Sequence, residues 1–213
     1  MTLRWIQVDN DARTQPSTGS YSDWKQEIAT DCGKRCVYCG IRQCRYYGLD
    51  PYHVEHFKPK SKFPDLKNEI KNLFLACAVC NRFKGSDWIE EGHVAFEIGE
   101  YASPADNDFN ELFSVDQSFS VSSVEPIGTY MIVKLFLNRP QLISDRRLDE
   151  LQQRMKSVCF YLSGVTDNLM ELNGDESKSL LAEIVKALSR LHQLRDSLDE
   201  SSPYELSDIR RKK

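Results

Sequence analysis

The chain has 213 residues, 40% of them hydrophobic, which is enough for a real core. No apolar run is long enough to span a membrane, and the opening MTLRWIQVDNDARTQ lacks the basic-then-apolar pattern of a secretory leader, so a cytoplasmic protein is expected. Seven cysteines cannot all pair, which argues against a disulfide scaffold. The net charge of −4 hides a basic window, residues 34–84, where eleven Lys/Arg face four Asp/Glu for a net of +7.

Residues 1–20 end in a Ser/Thr/Pro/Gly stretch and read as irregular. Ser22 is placed to cap a first helix that carries Trp24, Ile28 and Ala29 and ends near Gly33. A cysteine-rich module follows. HVAFEI at 93–98 alternates as a short strand does, and residues 111–121 read as one or two more strands after a polar loop at 104–110. Helical periodicity begins near residue 125. Pro126 suits a first turn, with apolar residues running to Leu137 before Asn138-Arg139-Pro140. A second helix carries Leu148, Leu151, Met155, Val158, Cys159 and Leu162, with Cys159 read as core. A polar loop at 164–177 and a third helix through Leu181, Ile184, Val185, Leu188, Leu191 and Leu198 complete the pattern. The expected division is 1–33 (arm and first helix), 34–124 (the basic, cysteine-bearing module with accessory strands) and 125–213 (a helical extension).

Four cysteines form two C-x-x-C pairs, Cys36/Cys39 and Cys77/Cys80, about forty residues apart. Each such turn aims both sulfurs at one point, and two turns complete a tetrahedral thiolate shell for Zn²⁺. A closed shell leaves no open position, so the expected role is structural. It ties folding to metal, because the segment between the pairs has little core of its own. Cys32 and Cys44 lie close by and are either spare or substitute ligands or bystanders, and the bystander reading is preferred.

Between the pairs lies His53-Val54-Glu55-His56-Phe57-Lys58-Pro59-Lys60-Ser61. Lys71-Asn72-Leu73 leads into the second pair, and Asn81-Arg82-Phe83-Lys84 follows it. The order C-x-x-C, E-H-x-x-P, N-L-x-x-A-C-x-x-C-N-x-x-K resembles the HNH endonucleases over roughly fifty residues. The resemblance implies an α+β fold: a zinc-stabilised ββα-metal module with short strands and, here, a helical C-terminal extension. It also implies a nuclease that leaves a 5′-phosphate and a 3′-hydroxyl. By motif position Glu55 is a ligand of a catalytic cation, His56 the general base, Asn72 the residue that orients the strand bearing it, and Asn81 the second ligand. Asn81 stands where the family often has His, which favours Mg²⁺ or Mn²⁺. Adjacent Glu55 and His56 point to opposite sides of a regular strand, so their convergence does not follow from spacing. His53 is either a group near the ion or an orienting structural His, and the second reading is preferred. Lys84, Arg82, Lys58 and Lys60 are candidate phosphate contacts, with Lys84 the foremost. His93 and His192 receive no role.

Further along, Trp88, Pro104-Ala105-Asp106-Asn107-Asp108, Thr129, Leu135-Phe136-Leu137-Asn138-Arg139 and Arg146 fall in an order similar to the PtuB-type HNH proteins of Septu and retron anti-phage systems. That resemblance implies DNA as substrate and an ABC/SMC-like ATPase of the PtuA type as partner. The helices after residue 125 and the tail from Ser202 are then docking surfaces or ordinary packing. Three rivals stand beside it: a stand-alone restriction-type HNH nuclease, a non-catalytic zinc-ribbon binding module, and an RNA-directed nuclease. The set Glu55, His56, Asn72 and Asn81 weighs against the pure binding module.

Overall fold

The computed structural model describes residues 5–89, 101–169 and 175–200. The chain separates into two compact units, Leu3–Leu142 and Ile143–Lys213.

In the first unit, helix α1 (Lys25–Asp31) precedes an antiparallel pair, β1 (Tyr52–His56) and β2 (Leu73–Cys77), and α2 (Ala78–Lys84) follows β2 without a break. The register pairs Tyr52 with Cys77 and His56 with Leu73. This is the ββα order expected from the sequence. Two strands alone bury too little to be stable in water, and here β2 is buried along its whole length. Helix α1 packs on it, contributing buried Ile28 and Ala29.

The N-terminal arm has no regular structure before α1, yet it is fixed. Trp5 and Val8 are buried. The Trp5 indole donates to the Tyr38 carbonyl, and Val8 N–H donates to the Pro104 carbonyl. Arg13 donates to the Leu73 carbonyl and pairs with Asp31 at 2.9 Å. Irregular backbone can be buried only when its polar groups find partners, and these bonds supply them. Ser22 does not cap α1. Trp24 occupies the capping position without a side-chain cap bond, and the Ser22 hydroxyl meets that of Ser20. Local bonding within the 20–23 turn wins over capping.

The stretch expected as strands over 111–121 begins as helix α3 (Phe109–Leu112), because the Asp108 carboxylate caps it at Asn110 N–H. Only β3 (Ser114–Val115) and β4 (Val121–Ser122) are extended. The strand expected at 93–98 lies outside the described residues. Helix α4 (Pro126–Lys134) starts at Pro126 as expected. It stops three residues before Leu137 because Phe136 is left-handed, with φ of 49°.

Helices α5 (Pro140–Leu169) and α6 (Asp175–Glu200) make up the described part of the second unit, α5 beginning just before its boundary. The polar stretch expected as a loop over 164–177 is helical to Leu169 and again from Asp175, since buried Val165 continues the apolar stripe of α5. That stripe runs Leu151, Met155, Val158, Leu162, Val165. Cys159, expected in the core, is exposed; it sits one residue past Val158 and so about 100° round the helix. In α6 the sheltered line is Leu180, Ile184, Ala187 and Leu191, while Leu181, Val185 and Leu188 are exposed. Among the described residues no helix is long and apolar enough to cross a membrane.

Candidate active site

The cysteine scaffold is assembled by three different local devices. Cys36 and Cys39 sit on a tight turn in which Gly40 N–H donates to the Cys36 carbonyl, and Gly40 takes a φ of 71° that a side chain would resist. Cys77 ends β2 and caps α2, its sulfur accepting the Cys80 N–H at 3.5 Å. Val37 N–H donates to the Leu75 carbonyl, which ties the first turn to β2. All four sulfurs are buried and lie within 4.8 Å of one another. Cys39 and Cys77 Sγ are 3.9 Å apart. A tetrahedral Zn²⁺ with bonds of about 2.3 Å has sulfur–sulfur edges of about 3.8 Å, so the cluster fits that ion. Cys32 stands outside it and accepts the Leu75 N–H instead.

His56 is the last residue of β1. Its Nε2 lies 2.9 Å from the Lys67 carbonyl. A carbonyl can only accept, so Nε2 carries the hydrogen and Nδ1 keeps its lone pair. Asn72 holds the loop that leads to this carbonyl, ending one residue before it. The Asn72 side chain accepts the Lys58 N–H at 2.8 Å and donates to the carbonyls of Lys58 and Leu66, at 3.1 and 3.2 Å. One buried amide thus closes both ends of the 58–66 loop onto the root of β2. Tyr21 from the N-terminal arm meets the His56 ring edge-on, centroids 4.7 Å apart. Burial lowers the pKa of His56 from its ordinary value, helped by nearby Lys60, Lys84 and Lys67 and opposed by the Lys67 carbonyl. The imidazole is therefore neutral at neutral pH and able to accept a proton.

Glu55 and Lys84 form a buried ion pair at 2.6 Å, with 4% and 0% of their side chains exposed. The Lys84 ammonium also donates to the His56 carbonyl at 3.1 Å. Tyr38 donates to the same Glu55 oxygen at 3.4 Å. Burial raises the Glu55 pKa, while Lys84 and Tyr38 act against that rise. Lys84, expected foremost among phosphate contacts, is thus a correction: its charge is spent inside the fold. The reason is helical. Cys80 and Lys84 are four residues apart on α2, so the face that brings Cys80 to the other sulfurs buries Lys84 too.

A cleft of about 540 Å³ is lined by His53, Glu55, His56 and Asn81, together with Tyr21, Lys25 and Lys60. Glu55 and His56 both line it because the cleft runs along the whole of β1, from Tyr52 to His56. Asn81 is half-buried and His53 exposed. Lys60 donates to the Tyr21 hydroxyl at 3.0 Å, which lowers the pKa of that phenol. Lys58 is turned to the rings of Phe63 and Trp88, 5.7 and 5.8 Å from their centroids. Arg82 is exposed on α2 and does not line the cleft. Sequence reasoning missed Tyr21 and Lys25; they lie in a stretch with no motif, and only the tertiary fold brings the end of the arm and the start of α1 to the cleft.

Residues 36–87 match the HNH endonuclease family. The matched span holds both cysteine pairs, the β1–β2 hairpin and α2. The chain is also similar to Septu protein PtuB of Bacillus thuringiensis, 42% identical over 53 residues, which is 24% of this chain and 20% of that protein. The shared segment is therefore a fifth of the relative's length. No solved structure matches.

Proposed function

We propose that this chain is a metal-dependent HNH endonuclease that hydrolyses DNA phosphodiester bonds, the nuclease of a bacterial anti-phage system that works with a PtuA-type ATPase. The observation that carries the reading is the His56 tautomer. A buried, neutral imidazole presents Nδ1 for a proton while its other nitrogen is fixed by a loop that Asn72 closes. His56 then takes a proton from a water molecule as that water attacks phosphorus. Asn72 is a positioning residue, acting through the 58–66 loop that leads to the Lys67 carbonyl. The likeness to Septu protein PtuB supports the defence role.

Glu55 and Asn81 are the residues that would hold the catalytic Mg²⁺ or Mn²⁺, with water and phosphate oxygens completing its shell. A site with few protein ligands suits Mg²⁺, which gives up its waters reluctantly. When bound, the cation supplies charge stabilisation at a phosphate oxygen and at the leaving 3′ oxygen. Lys84 keeps the Glu55 carboxylate ionised in a buried setting and braces the His56 backbone. Lys25 and Lys60 line the cleft and suit backbone phosphates, whose recognition is electrostatic.

The test is cleavage of supercoiled plasmid in Mg²⁺, Mn²⁺ or EDTA, beside a His56→Ala variant shown to retain zinc by elemental analysis. Metal-dependent nicking by the parent and none by the variant supports the reading. If the parent is silent in every metal, the assay is repeated with a PtuA-type ATPase and ATP. Silence there too would overturn it. A matched RNA strand in parallel separates a ribonuclease from a deoxyribonuclease.

A further inference from the structure

Arg139 lies about sixty residues beyond the second cysteine pair, outside the HNH match, yet its guanidinium reaches the cysteine cluster. Its Nη2 is 3.8 Å from Cys39 Sγ, 3.9 Å from Cys77 Sγ and 3.6 Å from Cys80 Sγ. The same group's Nη1 donates to the carbonyls of Leu135 and Phe136, at 3.1 and 3.2 Å. The guanidinium is thus a bridge between the end of α4 and three of the four sulfurs. The neighbouring residues fix the corner that carries it. Asn138 clasps β4 through both the N–H and the carbonyl of Val121, at 2.7 and 2.8 Å. Phe136, left-handed, stacks on Phe83 of α2 with centroids 4.8 Å apart.

We infer that Arg139 is the counter-charge of the zinc–tetrathiolate centre, and that through it zinc occupancy sets the order of the 135–142 corner from which α5 departs. Four thiolates around Zn²⁺ carry a net charge of −2 in a buried place, and such a centre needs cationic or N–H donors nearby. A guanidinium stays charged at every working pH and offers several donors in one plane. One arm of that plane meets sulfur while the other satisfies the free carbonyls at the end of α4. Removing zinc frees the four sulfurs to move apart, and the guanidinium then loses the cluster that it bridges to the end of α4. Three residues of the Leu135–Arg139 segment therefore act together: Phe136 and Asn138 lock the corner, and Arg139 couples it to the metal. The inference rests on the zinc reading of the cysteines and is independent of the cutting reaction.

The experiment uses the full chain loaded with Zn²⁺ or Co²⁺. Arg139→Met is expected to weaken zinc binding about 10- to 100-fold in competition with a chromophoric chelator, the usual size of a second-layer effect. It should also shift the sulfur-to-cobalt charge-transfer band, which a merely structural change would leave in place. Arg139→Lys should recover part of both, having charge without the fork. Asn138→Ala loosens the same corner without touching sulfur and should leave the band unmoved. In the parent chain, chelation of zinc should raise amide exchange across 135–142, a readout that needs no variant to fold. An unshifted band in Arg139→Met, or exchange at 135–142 indifferent to zinc, overturns the inference. A parent chain that takes up neither Zn²⁺ nor Co²⁺ overturns the zinc centre and the Arg139 assignment together.

Discussion

The four-cysteine hairpin module and the two long helices of the second unit reach stability by different means. Between Cys36 and Lys84 the strands are five residues each. Order there depends on buried polar side chains: Glu55, His56, Asn72 and Lys84 each have 7% or less of their surface exposed. In α5 and α6 the backbone satisfies itself, and large apolar side chains such as Phe160, at 83%, and Val185, at 61%, stand in water. A short hairpin can hold a chemical site only if polar clamps and a metal do what core volume cannot. A long helix needs no such clamps, and its exposed apolar residues are free for other uses or for none.

Zinc removal gives the largest expected contrast. All three tryptophans, Trp5, Trp24 and Trp88, lie in the first unit, so their fluorescence reports that unit, while ellipticity at 222 nm is dominated by α5 and α6. Structural zinc contributes about 10 kcal/mol or more in small metal-folded domains. Chelation should therefore abolish the cooperative tryptophan transition and leave most of the ellipticity. Loss of both signals in parallel would break the comparison.

Next comes Lys84→Met. It leaves the Glu55 carboxylate buried without its partner, a loss of about 3–5 kcal/mol. The tryptophan-reported melting temperature should fall, and the Glu55 pKa should rise further. A melting temperature within a degree of the parent's would mean that the pair is not formed in solution. Asn72→Ala is expected to cost less, about 1–3 kcal/mol from unpaired buried groups. It should also reduce cleavage far more than it reduces stability, because it loosens the loop that leads to the carbonyl fixing His56. Equal losses in both would make Asn72 purely structural.

His56 gives a pH signature. Its pKa in the fold lies below that of an ordinary imidazole, about 6.5. In the window between the two values the unfolded chain binds more protons, so stability rises with pH there. This contribution is fully present above about 6.5 and is lost as pH falls toward the folded value. The acid limb of the cleavage rate should have its midpoint below 6.5. A midpoint above 6.5 would contradict the burial argument. The smallest effect is expected from Val185→Ser on α6, within about 0.5 kcal/mol by thermal melting, as for most exposed positions.

Much of the chemistry was legible because it is written in short spacings. The two C-x-x-C pairs, the Glu55-His56 dipeptide, Asn72 just ahead of the second pair and Asn81 just after it are local patterns. Their ββα setting follows from the same fifty residues. Pro126 likewise announced the start of α4. What misled was one-dimensional reading of exposure. Lys84 looks like a surface cation in a basic run, but its four-residue offset from Cys80 already contained the signal that it turns inward. Cys159 looks like part of an apolar stripe until the stripe is laid out as Leu151, Met155, Val158 and Leu162. Ser22 has the residue type of a cap and is engaged elsewhere.

The sequence by itself determined which groups are available and the local frames that carry them: four thiolates on two turns, an imidazole at a strand end, an amide at the next strand's root. Those depend on interactions a few residues long, and local geometry is strongly constrained by residue type. Only the tertiary structure decided that Lys84 neutralises Glu55, that Tyr21 of the irregular arm and Lys25 at the start of α1 reach the cleft, and that Arg139 comes to the sulfurs from beyond α4. Each of those is a charge or ring meeting a partner many residues away, chosen by where burial leaves an unmatched group rather than by any pattern along the chain.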